Sequence, residues 1–308
     1  DQRSRENPNL WALDTNPREK IATTIKTAMT HENPPFRQHW LLAESADKPV
    51  GIAHGIILPV PPIYAGDFGA PGLIMEDCFV TDTAPTGTAN ALLASAEADL
   101  INAGAKVLVA SSLKGGSWEE HYTGADYIPL TLYLAKTGLT GTAQNDGIRT
   151  AVDNDLPAIV ALSAENRQIL FDLNAFWKPH PEADARFGRW MHRSLTLSDR
   201  DMFVAEAEGD IEGYMISQPA TPLHFPTAHT VAGIGFIDDY FHTDFENSNA
   251  LDDEGQGASA LLSSAEAALN TRANQSALVV CPAAWASKIS VLENNGYETA
   301  IVWHIKRQ

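Results

Sequence analysis

The sequence predicts two α/β (α+β) units of one plan, each a mixed β-sheet flanked by helices, and three observations predict it. "ALLASAEADL" at 91–100 returns as "ALLSSAEAAL" at 260–269, with eight of ten positions identical. The features around the two copies recur in the same order. A length of 308 residues is comfortable for two cores of about 150 residues each.

The elements follow in pairs. "WLLAESADKPVGIAHGIIL" (40–58) and "MFVAEAEGDIEGYMIS" (202–217) each read strand, short turn, strand. "LIMEDCFVTD" (73–82) meets "GFIDDYFHTD" (235–244): a strand with two adjacent acids, an aromatic and a closing Thr-Asp. The twin helices come next, since Ala, Leu and Glu are strong helix formers and their apolar positions fall at i, i+3, i+4, i+7. "KVLVASSL" (106–113) and "SALVVCP" (276–282) are apolar, β-rich runs. "GSWEEHYTGADY" (116–127) and "AAWASKISVLENNGY" (284–297) are Trp-led helices ending at Gly124 and Gly296, and "PLTLYLAK" (129–136) and "AIVWHIK" (300–306) are closing strands. Between the copies, "TGLTGTAQNDG" (137–147) has the composition of a linker. The halves are therefore expected at 1–142 and 143–308. The second opens with a strand and a helix starting at Asp155, whose carboxylate is placed to cap the first turn.

Composition narrows the function classes. The formal charge of −18 repels nucleic acid and anionic membrane and favours cationic partners; adaptation to salt explains it equally well. No run approaches the roughly 20 apolar residues that span a bilayer, and no charged-then-apolar leader opens the chain, so a cytoplasmic protein is expected. The two cysteines, Cys78 and Cys281, sit one in each half inside strand-like runs and are expected buried and reduced. Without CxxC or clustered His/Cys spacing, no metal site is expected.

The element order, the opening "IRTAVDNDLPAI" (148–159) and the ending "LENNGYE" (292–298) resemble the GNAT N-acetyltransferase superfamily, in two copies. That resemblance implies a splayed sheet in each unit, with acetyl-coenzyme A as co-substrate and a small-molecule amine or cationic acceptor. The expected assembly is a monomer that is a pseudo-dimer, or a homodimer. It also implies a pyrophosphate held by amides between the fourth strand and the next helix, where unpaired N–H groups and the positive dipole end converge.

In the first half "APTGTANALL" sets Gly87 and Ala89 before Leu92-Leu93, so Thr86, Gly87, Thr88, Ala89 and Asn90 form the expected cofactor loop, with Cys78 and Val80 on the preceding strand. Ala84 stands where the pattern has Gln or Arg. In the second half, Gly255 and Gly257 of "LDDEGQGASALL" lie one residue out of register beside Asp252, Asp253 and Glu254. A carboxylate about 8 Å from a phosphate costs about 2 kcal/mol at an effective dielectric of 20, so the first half is the favoured site and the second a candidate decayed loop.

Amine acylation needs a carboxylate to take the ammonium proton. Glu76 is the first candidate base and Asp77 the second, on opposite faces of a strand. Asp238 and Asp239 are their counterparts, suited to line an acceptor site. The Tyr that protonates the departing thiolate is implied four residues before the glycine ending the last helix, which falls on Glu120 and Leu292; Tyr122 lies nearby. The family's Asn after the fifth strand is absent, with Ser111 or Ser112 in its place. Trp118 and Trp285 are expected core anchors. Phe176, Trp177, Phe187 and Trp190 suit an aromatic lip over the acceptor pocket or packing between halves. Two further readings stay open: a non-catalytic coenzyme-binding or scaffold protein, and acyl-coenzyme A chemistry on a non-amine acceptor.

Overall fold

The repeated helices stand at corresponding places in a computed structural model that describes residues 2–31, 37–140 and 145–307. The first half runs α1 (Gln2–Glu6), α2 (Pro17–Thr30), β1 (Gln38–Ser45), β2 (Lys48–Ile57), β3 (Gly72–Ile74), β4 (Phe79–Val80), α3 (Thr88–Asn102), β5 (Val107–Leu113), α4 (Ser117–Gly124) and β6 (Ile128–Thr137). The second runs β7 (Ile148–Thr150), α5 (Leu156–Leu173), α6 (Ala183–Ser194), β8 (Asp201–Ala207), β9 (Asp210–Pro219), β10 (Ile234–His242), α7 (Gln256–Thr271), β11 (Ser276–Pro282), α8 (Ala286–Asn294) and β12 (Glu298–Arg307). The boundary expected at 142/143 lies outside the described residues. No helix among the described residues is long and apolar enough to cross a membrane.

The duplication shows in the packing. The last leucine of each copied helix lies on a glycine of its own half: a Cβ at Gly72 would come within 2.9 Å of Leu100, and one at Gly235 within 2.4 Å of Leu269. Trp118 and Trp285 are core residues, as expected, and the Trp285 indole N–H donates to the Phe245 carbonyl at 2.9 Å.

The sheet does not divide where the sequence does. One mixed sheet runs β1-β2-β3-β5-β12-β6-β11-β10-β9-β8-β7, with β4 beside β2. The final strands are exchanged: β12 of the second half pairs with β5 of the first, and β6 of the first pairs with β11 of the second. β6 and β12 lie antiparallel at the centre, on the pseudo-two-fold that relates the halves. Loops cross the seam too. Ala65 N–H donates to the Lys178 carbonyl at 2.8 Å, and Asp14 N–H to the Ala228 carbonyl at 3.0 Å.

Several expectations are corrected. One plan for both halves would give the first an opening strand to match β7; among the described residues it has none, and Leu13 makes only an isolated bridge to His229 of the second half. Its leading helix α2 buries no residue, whereas α5 and α6 place Ile159, Leu162, Phe187 and Met191 in the second half's core. Leu42 and Phe79 consequently stay exposed on β1 and β4.

Asp155 does not cap α5, because it already has helical backbone angles (φ −82°, ψ −16°). Its carboxylate turns back to the Val152 amide at 2.8 Å and to two Arg149 nitrogens at 2.7 and 2.8 Å. Cys78 lies between β3 and β4 rather than within a strand; both cysteines are free and buried. Phe176 and Trp177 pack with Phe68 and the seam residues Val107, Leu130 and Ile305, and Phe187 is core. Of the two readings of this segment, packing between halves accounts for Phe176 and Trp177, while Phe187 belongs to the second half's own core.

Candidate active site

β3 and β5 run parallel only as far as Ile74 and Ala110, beyond which the sheet opens. On β3's other side the register steps from Ile74↔Gly55 to Phe79↔Ile52, so five steps along this chain answer three along β2. The extra residues form a turn at Glu76–Asp77. Two neighbouring acids in a turn do not alternate across a sheet face as in a regular strand. β4 pairs only with β2, which leaves its edge toward β5 without a strand partner.

The loop after β4 ends at Gly87, which takes φ +88° just ahead of α3. A Cβ there would meet nothing within 4 Å. Thr88 N–H donates to the Pro85 carbonyl at 3.2 Å. The amides of Thr86, Gly87, Ala89 and Asn90 have no hydrogen-bond partner among the described residues. Four bare donors at a helix start form an anion cradle. A cleft of about 240 Å³ continues from it between α3 and α4, lined by Asn90, Leu93, Glu97 and His121. His121 Nδ1 and Asn90 Oδ1 bridge the two helices at 2.8 Å.

Glu76 lies in that turn and is half-buried. Its Oε1 is buried without a hydrogen-bond partner among the described residues. Burial, then the charge of Asp77, pushes its carboxyl up to about 7. Asp77 is held instead: Oδ1 accepts from the Thr227 amide at 2.9 Å, and Oδ2 lies 3.1 Å from the Thr227 hydroxyl and 3.3 Å from His54 Nδ1. Thr227 belongs to the other half, so Asp77 ties the β9–β10 loop over this opening. The His54 ring is stacked 3.8 Å from Trp40 and lies 3.3 Å from Gln38 Oε1.

Tyr122 enters from α4, fully buried. Its hydroxyl faces the Cys78 thiol, and burial, then Cys78, keeps the phenol well above its ordinary value. Burial likewise pushes Cys78 up to about 12. The residue with positive φ after α4 is Asp126 (φ +65°), the counterpart of Gly296 (φ +82°). The amides of Tyr127 and Tyr297 close back on Tyr122 and Leu292 at 3.1 and 3.0 Å. Tyr122 thus stands four residues before the left-handed residue. The sequence obscured this because a glycine, Gly124, also ends the helix and Asp adopts the left-handed conformation only occasionally.

The second half has the same parts with its own side chains in them. Asp238 is the extra residue of a bulge between Ile237 and Asp239. Asp239 accepts from the Tyr214 hydroxyl at 2.6 Å and Asn166 at 3.2 Å. At the start of α7, the Asp244 carboxylate accepts from the Ala258 amide at 2.9 Å. Burial pushes Asp244 up, but His242 and the amides of Ala258 and Gly257 outweigh that and hold it below its ordinary value. Gly255 N–H is bound to the Asp252 carbonyl at 2.8 Å, and a Cβ at Gly257 would lie 2.5 Å from His242.

Buried Lys288 donates to the Tyr240 carbonyl at 2.6 Å, on the residue equivalent to Cys78, between the rings of Trp285, Tyr240 and Phe245. The anion position is therefore occupied by a carboxylate and the splayed strand by an ammonium. Sequence reading missed His54, Thr227, Asp244 and Lys288. The shared Thr-Asp after each long strand was the available signal for Asp244.

These features define a duplicated mixed-sheet protein in which, among the described residues, the first half's helix start keeps its amides open and the second half's is filled. A GCN5-related N-acetyltransferase from Sphaerobacter thermophilus is similar over 93% of this chain and 85% of its own, at 17% identity and TM-score 0.53. An acetyltransferase of the GNAT family from Colwellia psychrerythraea matches over 96% and 98%, at 10% identity and TM-score 0.49. A tandem GNAT protein from the clavulanic acid biosynthesis pathway matches over 92% and 86%, at 13% and 0.44. No protein-family model matches the sequence, and no curated protein does. The Sphaerobacter likeness gives the fold: this chain has the GNAT fold, laid down twice.

Proposed function

We propose that the protein is an acyltransferase that moves an acetyl group from acetyl-coenzyme A to an amine, with chemistry in the first half only. The observation that carries this is the contrast between the two helix starts: four unpartnered amides at Thr86–Asn90 against a filled position at α7. Acetyl-coenzyme A supplies the activated thioester, and its pyrophosphate is the anion the bare amides suit, at about 1.5–3 kcal/mol for each charge-assisted bond. The free edge of Cys78–Val80 suits the amide-bearing arm between cradle and thioester.

Glu76 takes one proton from the acceptor ammonium. As the N–C bond forms and the C–S bond breaks, Tyr122 gives its phenolic proton to the departing sulfur. The second nitrogen proton then restores the phenol, and Glu76 releases the first to solvent. A phenol held above its ordinary value stays protonated until that moment, as a general acid must. Ser111, beside Glu76, stands where the family's Asn is missing.

Calorimetry with acetyl-coenzyme A tests the reading. One site per chain is expected, and Gly87→Trp, which fills the open space, should abolish the heat. Two sites, or a heat unchanged in Gly87→Trp, contradicts it.

A further inference from the structure

The last strands meet at the seam, and on the face away from α3 and α4 they carry a half-buried patch used by neither helix start. Trp303 of β12 lies between Ser111 of β5 and Thr131 of β6 in the ladder, and cross-strand neighbours share a face. Tyr133, two residues along β6, is 5.5 Å from Trp303 by ring centroids and 6.3 Å from Phe236 of β10. Central strands of a twelve-stranded sheet should be covered here, yet Trp303 keeps partial exposure, as do Glu76 and Asp238.

Several polar groups around Trp303 are buried without a well-formed hydrogen bond. Ser111 and Thr131 are 1% and 4% exposed; among the described residues neither hydroxyl, nor Glu76 Oε1, makes a well-formed hydrogen bond, although the Ser111 hydroxyl is near enough to Glu76 to favour its charged form. Among the described residues, the hydrogen bond to Asp238 is a long one, 3.4 Å from Gln218. No cation among the described residues lies within 4.0 Å of Glu76 or Asp238; Arg200, whose charge bears on Asp238, is bound to Asp199 at 3.0 Å. Both carboxylates act on the Tyr133 phenol, which burial and then their charges push up. Two such acids beside apolar walls are costly when ionised unless a cationic ligand neutralises them, and otherwise hold their protons.

We propose that this seam is the acceptor site, and that it selects a small acceptor with two cationic groups. The amine to be acylated sits at Glu76, and the second cation is held at Asp238 across the Trp303–Tyr133 floor. The proposal rests on the acyltransferase reading and adds that the second half, closed to the coenzyme, supplies acceptor selection. Trp303 and Asp238 come from it, and its Thr227 fixes the turn that carries Glu76.

The test is thiol release from acetyl-coenzyme A with linear α,ω-diamines of three to eight carbons against the matching monoamines. One diamine length should exceed its monoamine in kcat/KM by about tenfold or more, the worth of one charge-assisted contact. Asp238→Asn should bring that ratio toward one, and Asp238→Glu should keep the preference but move it to a shorter diamine. A ratio near one in the parent, or a ratio untouched by Asp238→Asn, overturns the proposal.

Calorimetric titration of the best-matched diamine into the protein alone separates the two readings. Heat that Asp238→Asn abolishes supports the seam site even if acetyl-coenzyme A gives none; absence of diamine heat beside a normal acetyl-coenzyme A isotherm overturns the seam site alone.

Discussion

A carboxyl pushed up to about 7 is a base only once it ionises, so Glu76 sets a pH limb. Amine acetylation should rise through about pH 7, and Glu76→Gln should lower kcat by about 10²–10⁴, the usual worth of a positioned base, and remove that limb. Stability carries the opposite sign. Glu76 and Asp238 both stand near 7 when folded, above ordinary carboxylate values. Between about pH 4 and 7 the folded chain therefore holds protons that the unfolded chain has released, and stability falls as pH rises through that window. Thermal melts of Asp238→Asn should show a smaller drop between pH 5 and pH 8 than the parent. An equal drop would mean that the acid is not buried in solution as it is here. At this scale the sequence was partly legible. Glu76 and Asp77 were visible as a pair, but not which of them was free, because Asp77's partner Thr227 lies 150 residues away.

The same helix start is used differently in the two halves, and the elements explain why. Thr81-Asp82 and Thr243-Asp244 end equivalent strands. α3 begins six residues after Asp82, whereas α7 begins twelve after Asp244. The longer connection folds back, so that Asp252 N–H meets the Asp244 carbonyl at 2.8 Å, and it lets Asp244 lie buried against α7 while Asp82 stays exposed. Asp244 is held below its ordinary value, so its stabilisation is present above the unfolded carboxylate value and is lost as pH falls through the folded one. Asp244→Ala should cost about 1–3 kcal/mol at pH 7 in chemical denaturation, with the difference vanishing at low pH. Coenzyme stoichiometry should remain one, because Lys288 still occupies the splayed strand. The glycines of both loops were plain in the sequence; a side chain arriving from the preceding strand to fill one of them was not.

For the whole molecule, the repeat was legible but the exchange of strands was not, since β6 and β12 have near-equivalent patterns and either could close either half. In the sheet, β6 gives seven residue pairs to β11, and β12 gives seven to β5. A fragment of the first half alone would leave β5 facing solvent along its full length and β6 with no sheet to join; the second-half fragment would lose β6 from the edge of β11. Apolar residues at those positions, Leu113, Leu134, Val279 and Ile301, are all buried and would be uncovered, at about 25 cal/mol per Å² of apolar surface. Exposed edges with such residues favour aggregation over folding. Each half expressed by itself, cut between residues 140 and 145, should therefore show little cooperative unfolding by circular dichroism, whereas the co-expressed halves should purify as a 1:1 complex with near-parental secondary structure. The loops that cross the seam add to the same dependence, because Asp77 near Glu76 is held by Thr227 of the second half as well as by His54 of its own. Two fragments that each melt cooperatively and ignore each other would show that the strands return to their own halves, and with them the seam that Trp303 and Tyr133 build.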